Sequence, residues 1–315
     1  MALKDLGEFG LIGHIRNTFP APEGIAGIGD DCAVIPQTLG LDTVVSTDML
    51  MEGSHFLMED VSPYRLGWKS AAVNFSDIAA MGGNPVGSFL AFALPRSLPD
   101  GWIEEFMRGY RDISVKYGFP LLGGDTTSSP DRLGICVTVL GSVPSGRARM
   151  RSMAMPGDKV CVTGNLGDSG GGLEVILKGY ERGADEEAMV ARHYLPEPQM
   201  DGGIALRDTE GVHAMMDISD GIGSDLRHLM EESGVGAEID VTSIPMSDEL
   251  RRFCCRHDLD PLKFATGGGE DYQLLFTASP EAEITVPHFV IGRITEGKEL
   301  VWKGSLNDYQ GFRHF

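Results

Sequence analysis

The strongest constraint on the fold of this chain is the regular alternation of short apolar runs with longer segments of helical periodicity. Residues 42–50, DTVVSTDML, are rich in β-branched side chains and end in a polar cluster, which predicts a strand with a polar C-terminal end. Residues 62–83 carry apolar side chains at helical spacing between Ser62-Pro63 and Gly82-Gly83 and predict a helix. Because this alternation continues to the C-terminus, we predict an α/β fold of mixed α+β character.

The remaining segments follow the same pattern in both halves of the chain. In the first half we predict strands at 85–94 and 132–143 and, between them, a helix at 99–118 with Asp100 as a plausible N-cap. In the second half the pattern predicts strands at 158–164, 212–219, 236–241 and 271–277, and helices at 167–180, 221–233 and 247–258. The stretch around Pro196 and Pro198 interrupts this alternation and receives no assignment.

Chain length and one irregular segment predict two domains. The 315 residues exceed the roughly 250 to 300 at which a single core stops growing. Residues 144–157, PSGRARMRSMAMPG, are punctuated by Pro and Gly, locally basic and without periodicity, as is typical of a domain boundary. We therefore expect an N-terminal domain at 1–145 and a C-terminal domain at 146–315. The basic cluster Arg147, Arg149 and Arg151 fits a phosphate-binding site and a solvated linker equally well.

Charge and cysteine content exclude several classes of partner. The chain has 26 Lys and Arg against 46 Asp and Glu, a formal charge of −20, which opposes binding to nucleic acid or to anionic lipid. No apolar run approaches the roughly 18 residues of a membrane span. Five cysteines without a C-x-x-C motif favour a reducing compartment, so we expect a cytoplasmic protein without nucleic-acid or membrane partners.

A subset of the acids shares one local setting, at the end of a strand or helix among glycines and hydroxyl side chains. Any one of them alone fits a cap or turn residue, whereas together they favour divalent-cation ligands, because carboxylate and hydroxyl oxygens suit Mg²⁺ or Mn²⁺. Asp77 is the most informative, since it lies within a predicted helix on the side of the apolar positions, where an unpaired carboxylate is costly to bury. The subset comprises Asp30, Asp31, Asp48, Asp77, Asp125, Asp217, Asp220, Glu270 and Asp271.

Metal ions beside many acids are what a reaction between two phosphorylated reactants requires. Two like unit charges 4 Å apart repel by about 4 kcal/mol at an effective dielectric of about 20, and several phosphate charges multiply this cost. Neither the P-loop motif nor the H-R-D and D-F-G motifs of protein kinases are present. A G-x-S-x-G hydrolase motif with a plausible triad is also absent.

Seven motifs, in this order, resemble the thiamine-monophosphate kinase family, which belongs to one superfamily with aminoimidazole ribonucleotide synthetase and selenophosphate synthetase. The resemblance spans nearly the whole chain and is weakest over 181–200 and 280–308. The motifs are GIGDDCAVI, STDMLMEGSHF, WKSAAVNFSDIAAMGGNP, LLGGDTT, VTGNLGDSGGGL, DISDGIGSDL and GGGEDYQLLF.

The resemblance implies a two-domain aminoimidazole ribonucleotide synthetase-like fold whose N-terminal domains pair into a dimeric β-barrel. It also implies ATP-dependent phosphorylation of thiamine monophosphate to thiamine diphosphate with several Mg²⁺ ions, in a homodimer. Matched by motif, the implied metal ligands are Asp30, Ser46, Thr47, Asp48, Asp77, Asp125, Asp217 and Asp220. The implied ATP contacts are Gly124, Asp125, Arg151 and Ser219, with Tyr117 near the adenine, and the implied thiamine phosphate contacts are His55, Glu270 and Phe312.

Within this set we expect Asp30, Asp77 and Asp217 to hold the bridging ions that catalysis requires. Asp31 and Asp271 are expected to support or cap neighbouring groups instead. Phe312 fits stacking on the cationic thiazolium ring, although a terminal core position is its alternative. His55 without the family would be an ordinary half-buried histidine.

Three alternatives remain at this point. A sister enzyme of the same fold is the nearest, although the absence of cysteine from residues 1–26 argues against a selenophosphate synthetase. A metal-dependent phosphatase would release phosphate without ATP, and its D-x-D nucleophile pattern does not match the D-x-S-D of residues 217–220. A noncatalytic metal-binding or scaffold protein would bind Mg²⁺ without turnover.

Overall fold

A computed structural model describes residues 30, 33–36, 40–304, 309 and 311. The strands are β1 (Ala33–Pro36), β2 (Leu41–Met51), β3 (Asn84–Pro95), β4 (Leu121–Ser129), β5 (Gly134–Pro144), β6 (Lys159–Val162), β7 (Val212–Asp217), β8 (Gly236–Asp240), β9 (Leu274–Ala278), β10 (Phe289–Thr295) and β11 (Leu300–Lys303). The helices are α1 (Pro63–Ala80), α2 (Trp102–Tyr117), α3 (Asp168–Lys178), α4 (Ala184–Tyr194), α5 (Met200–Asp208), α6 (Ile222–Ser233), α7 (Asp248–His257) and α8 (Pro261–Gly267).

The first sheet has the strand order β1-β2-β5-β3-β4, and its pairs are antiparallel except for the parallel pair β3–β4. The predicted strands at 42–50, 85–94 and 132–143 are confirmed as β2, β3 and β5. Sequence analysis missed β4, because LLGGDTTSS has neither alternating polarity nor β-branched residues in its first half. This edge strand is exposed over almost all of its length.

Helices α1 and α2 cover one face of the first sheet. The predicted helix at 62–83 is confirmed as α1, and its N-cap Ser62 accepts a hydrogen bond from the Arg65 amide, with Pro63 in the first turn. The prediction that Asp100 caps α2 was wrong. Gly101 is the N-cap, with a φ of 79°, and no side chain caps this helix.

The second sheet has the order β11-β8-β10-β6-β9-β7 and is packed by helices on both faces. The predicted strands near 158, 212 and 236 are confirmed as β6, β7 and β8, and the predicted helices as α3, α6 and α7. The strand predicted at 271–277 begins only at Leu274, because the preceding loop has positive φ angles at Glu270 and Tyr272. Helices α4 and α5 were missed because Pro196 and Pro198 lie between them and obscure two short periodic segments.

Helix α1 packs against the second half of the chain as well as the first sheet. The Trp68 indole N–H donates to the carbonyl oxygen of Pro196 at 2.9 Å, and the Arg207 guanidinium donates to Gly82 O at 2.8 Å. A Cβ at Gly203 of α5 would lie 2.1 Å from Ala79 O, so only glycine permits this close approach. One apolar core therefore runs through α1 from the first sheet to α4, α5 and β9.

Two further features of the described chain concern membranes and thiols. Among the helices of the described residues, none combines the length and apolarity needed to span a bilayer. Four cysteines in the described residues are free thiols, Cys136, Cys161, Cys254 and Cys255. Cys254 is buried in α7 as helix packing predicts, whereas Cys255 is exposed.

Candidate active site

A row of polar side chains on α1 faces both halves of the molecule. Asn74 and Asp77 face β2, where the Asn74 amide oxygen accepts from the Asp48 backbone N–H at 3.1 Å. Lys69 and Ser76, two helical turns apart, contact the second half instead. One face of α1 thus contributes residues that contact β2, and another face contributes residues that contact the second half.

Two aspartates of this row and its surroundings are held by serine hydroxyls. The Ser46 hydroxyl on β2 donates to Asp77 Oδ2 at 2.5 Å, and the Ser76 hydroxyl donates to Asp217 Oδ2 at 2.5 Å. Asp217, at the end of β7, is buried. The Ser46–Asp77 bond lies within the first half and the Ser76–Asp217 bond joins the two halves, and each bond orients its carboxylate. We call this cluster of Ser46, Asp77, Ser76 and Asp217 the seam.

Backbone hydrogen bonds join the loop after β7 to the loop before β9. The Tyr272 N–H donates to Ile218 O at 2.9 Å, and the Glu270 N–H donates to Ser219 O at 2.7 Å. Glu270 and Tyr272 have φ angles of 55° and 49°, in the left-handed region that costs a side chain of order 1 kcal/mol or more. These hydrogen bonds hold the strained loop in place.

Tyr272 is a buried residue of the site that sequence analysis missed. Burial raises the pKa of its phenol well above the ordinary value, and the nearby carboxylates of Glu270, Asp48, Asp217 and Asp77 raise it further. Carboxylates from both halves therefore surround one neutral phenol. The sequence could have indicated Tyr272 as a site residue because it follows Glu270 and Asp271 in GGGEDY. A tyrosine at this point is equally typical of the apolar core.

Glu270 lies beside a buried lysine and a buried histidine. The Lys69 ammonium donates to Glu270 Oε2 at 2.9 Å, and His193 Nδ1 lies 3.3 Å from the same oxygen. Burial alone would raise the pKa of Glu270, but the Lys69 ammonium, the largest opposing influence, helps to lower it below its ordinary value. His55, the other predicted thiamine phosphate contact, accepts at Nδ1 from the Met51 N–H at 3.0 Å at the end of β2.

A cavity of about 260 Å³ opens next to Glu270. Asp271 confirms the expectation of a capping residue, since its carboxylate accepts from the Gly167 and Ser169 N–H groups at the start of α3. Burial raises the pKa of Asp271 to about 8, although those two N–H groups oppose the shift. The cavity is lined by Asn165, Asp168, Ser169, Arg192, Leu195, Pro196, Glu197, Glu270, Asp271 and Gln273.

Asp30 and Arg151, far apart in sequence, are brought together in the structure. The Arg151 N–H donates to Asp30 Oδ1 at 2.6 Å. Arg147 and Arg149, in contrast, donate to the carbonyl oxygen of Arg207 at the end of α5. Both guanidinium groups thus contact the second half, although the Arg147 side chain is 52% exposed, and a role of this cluster in phosphate binding stays a prediction.

Gly311 approaches the backbone of Asp220. Asp220 donates its N–H to the carboxylate of Asp225 at 3.2 Å, and a Cβ at Gly311 would lie 2.5 Å from Asp220 O. Phe312 and Asp31 lie outside the described residues. The contact of Phe312 with thiamine phosphate and the supporting role of Asp31 therefore stay predictions.

The predicted ligands of the first sheet are divided between its two faces. Thr47 follows Ser46 in β2, so its side chain lies on the opposite face of the sheet. Its hydroxyl contacts Thr138 Oγ1 at 2.9 Å. Strand pairing places Asp125 in the row of Ala91 and Cys136, on the same face as Thr47. These residues are not brought to the seam, and their roles as ligands remain predictions.

Two further ATP contacts implied by the motifs have defined surroundings. A Cβ at Gly124 would lie 1.8 Å from Leu90 O, so the pairing of β4 with β3 requires glycine there. Tyr117 donates its hydroxyl to Glu197 of the second half, and the phenol pKa is raised by burial and by that carboxylate. An adenine beside Tyr117 would therefore adjoin this contact between the halves.

The sequence of this chain is similar to those of known protein families and of individual proteins. The AIR synthase related protein N-terminal domain matches residues 29–143, and the AIR synthase related protein C-terminal domain matches residues 155–303. A thiamine-monophosphate kinase from Salmonella typhimurium is 38% identical over 98% of both chains, and one from Aquifex aeolicus is 36% identical over 100% of both. The chain belongs to the thiamine-monophosphate kinase family.

Solved structures of this family share the whole fold. AaThiL complexed with AMPPCP and TMP has a TM-score of 0.92 at 36% identity, covering 100% of this chain and 99% of that one. The thiamine-monophosphate kinase of Stenotrophomonas maltophilia has a TM-score of 0.77 at 35% identity, covering 96% of this chain and 98% of that one. The expected two-domain aminoimidazole ribonucleotide synthetase-like fold is thereby confirmed.

Proposed function

We propose that this protein transfers the γ-phosphoryl group of ATP to the phosphate of thiamine monophosphate, giving thiamine diphosphate and ADP in thiamine biosynthesis. Relatives of that name match nearly the full length of the chain, and the AaThiL structure was complexed with AMPPCP and TMP. The structural observation that carries the proposal is the set of held carboxylates where the two halves meet, with Asp77 held by Ser46, Asp217 by Ser76 and Glu270 by Lys69. Such a concentration of negative charge suits cation-assisted chemistry between anions.

The acceptor defines what the protein's own residues must do. A phosphate monoester has a second pKa near 6, so its attacking oxygen is already deprotonated at about pH 7 and needs no general base. Positioning is then the main task, because phosphoryl transfer depends on alignment and charge stabilisation. His55 and Glu270 would hold thiamine monophosphate, with Phe312 stacking on its ring. Gly124, Asp125, Arg151 and Ser219 would hold ATP, with Tyr117 near the adenine.

The donor set fits Mg²⁺ as a shared cofactor of ATP and protein. The described residues contain no group of three His, Cys, Asp or Glu side chains that could hold a metal ion. Mg²⁺ is usually bound by one or two carboxylates together with phosphate oxygens and waters, which pairs such as Ser46 with Asp77 can satisfy. When bound, Mg²⁺ neutralises phosphate charge. The proposed ligands are Asp30, Ser46, Thr47, Asp48, Asp77, Asp125, Asp217 and Asp220, of which Asp30, Asp77 and Asp217 would be essential.

We also propose that two chains pair through the open face of the first sheet. Met49 and Phe89 are exposed by 59% and 39% on this face, and the edge strand β4 is exposed beside them. Analytical ultracentrifugation should show a dimer, and Phe89→Glu should shift it to monomer. The domain boundary at 145/146 and a cytoplasmic location stay predictions.

One assay tests the proposed activity. Thiamine monophosphate and ATP are incubated with the protein, with and without Mg²⁺, and thiamine diphosphate is quantified by chromatography. We expect product only when ATP and Mg²⁺ are both present. Release of inorganic phosphate without ATP would instead favour a phosphatase, and Mg²⁺ binding without any product would favour a noncatalytic protein.

A further inference from the structure

We propose that Lys69 and His193 are positioning residues that orient Glu270 for recognition of the thiamine moiety. This inference rests on the proposed function. None of the motif-derived roles includes these two side chains. They come from α1 and α4, so the proposed device joins the two halves of the molecule.

Lys69 lies where an ammonium group needs a partner. Its side chain is 0% exposed, and its Nζ lies 2.9 Å from Glu270 Oε2 and 3.2 Å from His193 Nε2. A buried charge without compensation is costly, and the contacts with Glu270 and His193 supply that compensation. The ion pair is therefore a fixed part of the site.

The hydrogen bonds assign the tautomer of His193. Because an ammonium group only donates, Nε2 must accept from Lys69, which leaves the proton on Nδ1. Nδ1 lies 3.0 Å from Ser169 Oγ and 3.3 Å from Glu270 Oε2. Burial first, and then Lys69, lower the pKa of His193 to about 3, which agrees with a neutral ring.

Both contacts converge on a single oxygen of Glu270. Lys69 and His193 engage Oε2, while the backbone N–H of Glu270 is held by Ser219 O at 2.7 Å. Within the described residues, Oε1 is left as the acceptor for a ligand. A carboxylate oxygen in a fixed orientation suits an N–H donor or a cationic ring, and thiamine monophosphate contains an aminopyrimidine and a thiazolium.

The consequence is a selective effect on one substrate. Removing Lys69 would release Glu270 from its orientation and leave the ATP site unchanged. The KM for thiamine monophosphate should then rise while the KM for ATP does not. A residue with only a structural role would lower stability without separating the two substrates.

The test compares Lys69→Met with Ser70→Ala, a matched change at the next residue of α1. Ser70 is equally buried, but its hydroxyl donates to Leu66 O within the same helix. We expect Lys69→Met to raise the KM for thiamine monophosphate about 10- to 100-fold, with the KM for ATP within about twofold. Ser70→Ala should leave both constants within about twofold. Equal changes in the two KM values, or no change in either, would overturn the proposal.

A double-variant cycle tests whether Lys69 acts through Glu270. In a Glu270→Gln background, Lys69→Met should raise the KM for thiamine monophosphate by less than about threefold. The combined variant also removes both charges of the buried pair, so it should fold even if Lys69→Met alone does not. Full additivity of the two changes would show that Lys69 acts independently of Glu270 and would refute the role.

His193→Asn gives a milder test. The amide keeps a donor near the Nδ1 position but loses the acceptor for Lys69, and we expect an affinity for thiamine monophosphate that is weaker by about 3- to 10-fold. Calorimetric titration with thiamine monophosphate measures this without turnover. Unchanged affinity would count against the inference. Wild-type protein that binds thiamine monophosphate but makes no diphosphate would overturn the proposed function alone.

Discussion

The two faces of the first sheet hold acidic residues in different ways. On the helix-covered face, Asp77 accepts from the Ser46 hydroxyl and adjoins the serine-held Asp217. On the open face, Asp125 lies on an exposed edge strand among small residues. The difference shows that carboxylates with similar sequence surroundings can differ in how firmly the protein fixes their orientation. Those in the seam are oriented in advance, whereas those on the open face depend on a ligand or on the proposed second chain.

The largest effect should come from Asp77→Asn in the seam. Asparagine can still accept from Ser46, so the fold should remain, but the loss of the negative charge should lower kcat by about 1,000-fold or more. Turnover is measured as thiamine diphosphate formed at saturating substrates. Asp112→Asn is the matched control, because Asp112 also accepts from a hydroxyl group, that of Tyr64, outside the site. Near-normal turnover of Asp77→Asn at modest Mg²⁺ would remove Asp77 from the catalytic set.

Asp125→Asn tests the open face. Because this carboxylate is proposed to contact ATP and metal but is not held in the seam, we expect the KM for ATP to rise about 10- to 100-fold. The KM for thiamine monophosphate should change less. Asp131→Asn, at an exposed position after the same strand, should have no effect on either constant. If the KM for ATP does not change, Asp125 has no role in nucleotide binding.

Ser76→Ala sharpens the comparison by removing a donor from buried Asp217. Leaving a buried carboxylate with one fewer hydrogen bond should lower the free energy of unfolding by about 1–2 kcal/mol and kcat several-fold. Thr138→Val removes a hydroxyl contact on the open face and should cost no more than about 0.5 kcal/mol. Urea denaturation of both variants gives the comparison. Equal losses would contradict a difference between the faces.

The smallest expected effect is the loss of folding stability at acidic pH that His193 causes. His193 has a pKa of about 3 in the folded protein and about 6.5 when unfolded. Below about pH 6.5 the unfolded state binds an extra proton, so stability falls as pH decreases toward about 3 and is unaffected well above about 6.5.

Between about pH 8 and pH 6 this histidine should cost somewhat less than about 1 kcal/mol of stability. His193→Asn should show a correspondingly smaller decline across the same range, whatever its absolute stability. Parallel curves for the two proteins would mean that His193 is not held neutral in the fold.

Sequence analysis could predict elements whose signal is local. The α1 segment combines Ser62-Pro63 at its start with helical periodicity and Gly82-Gly83 at its end, and the structure confirms it. Strand β4 was missed because its conformation depends on pairing with β3, which no local pattern encodes. Motif resemblance likewise gave Glu270, but not Lys69 or Tyr272. Their roles depend on contacts between residues about 200 positions apart.

The attachment of α1 to both halves has a consequence for dissecting the protein. A fragment ending after β5 would expose the Lys69 ammonium, the Ser76 hydroxyl and the groove beside Ala79 that Gly203 now fills. The complementary fragment would expose the Asp217 carboxylate and the apolar sides of α4 and α5. Neither piece would keep a site of its own, so activity from a divided gene would require both polypeptides to reassemble around this single helix.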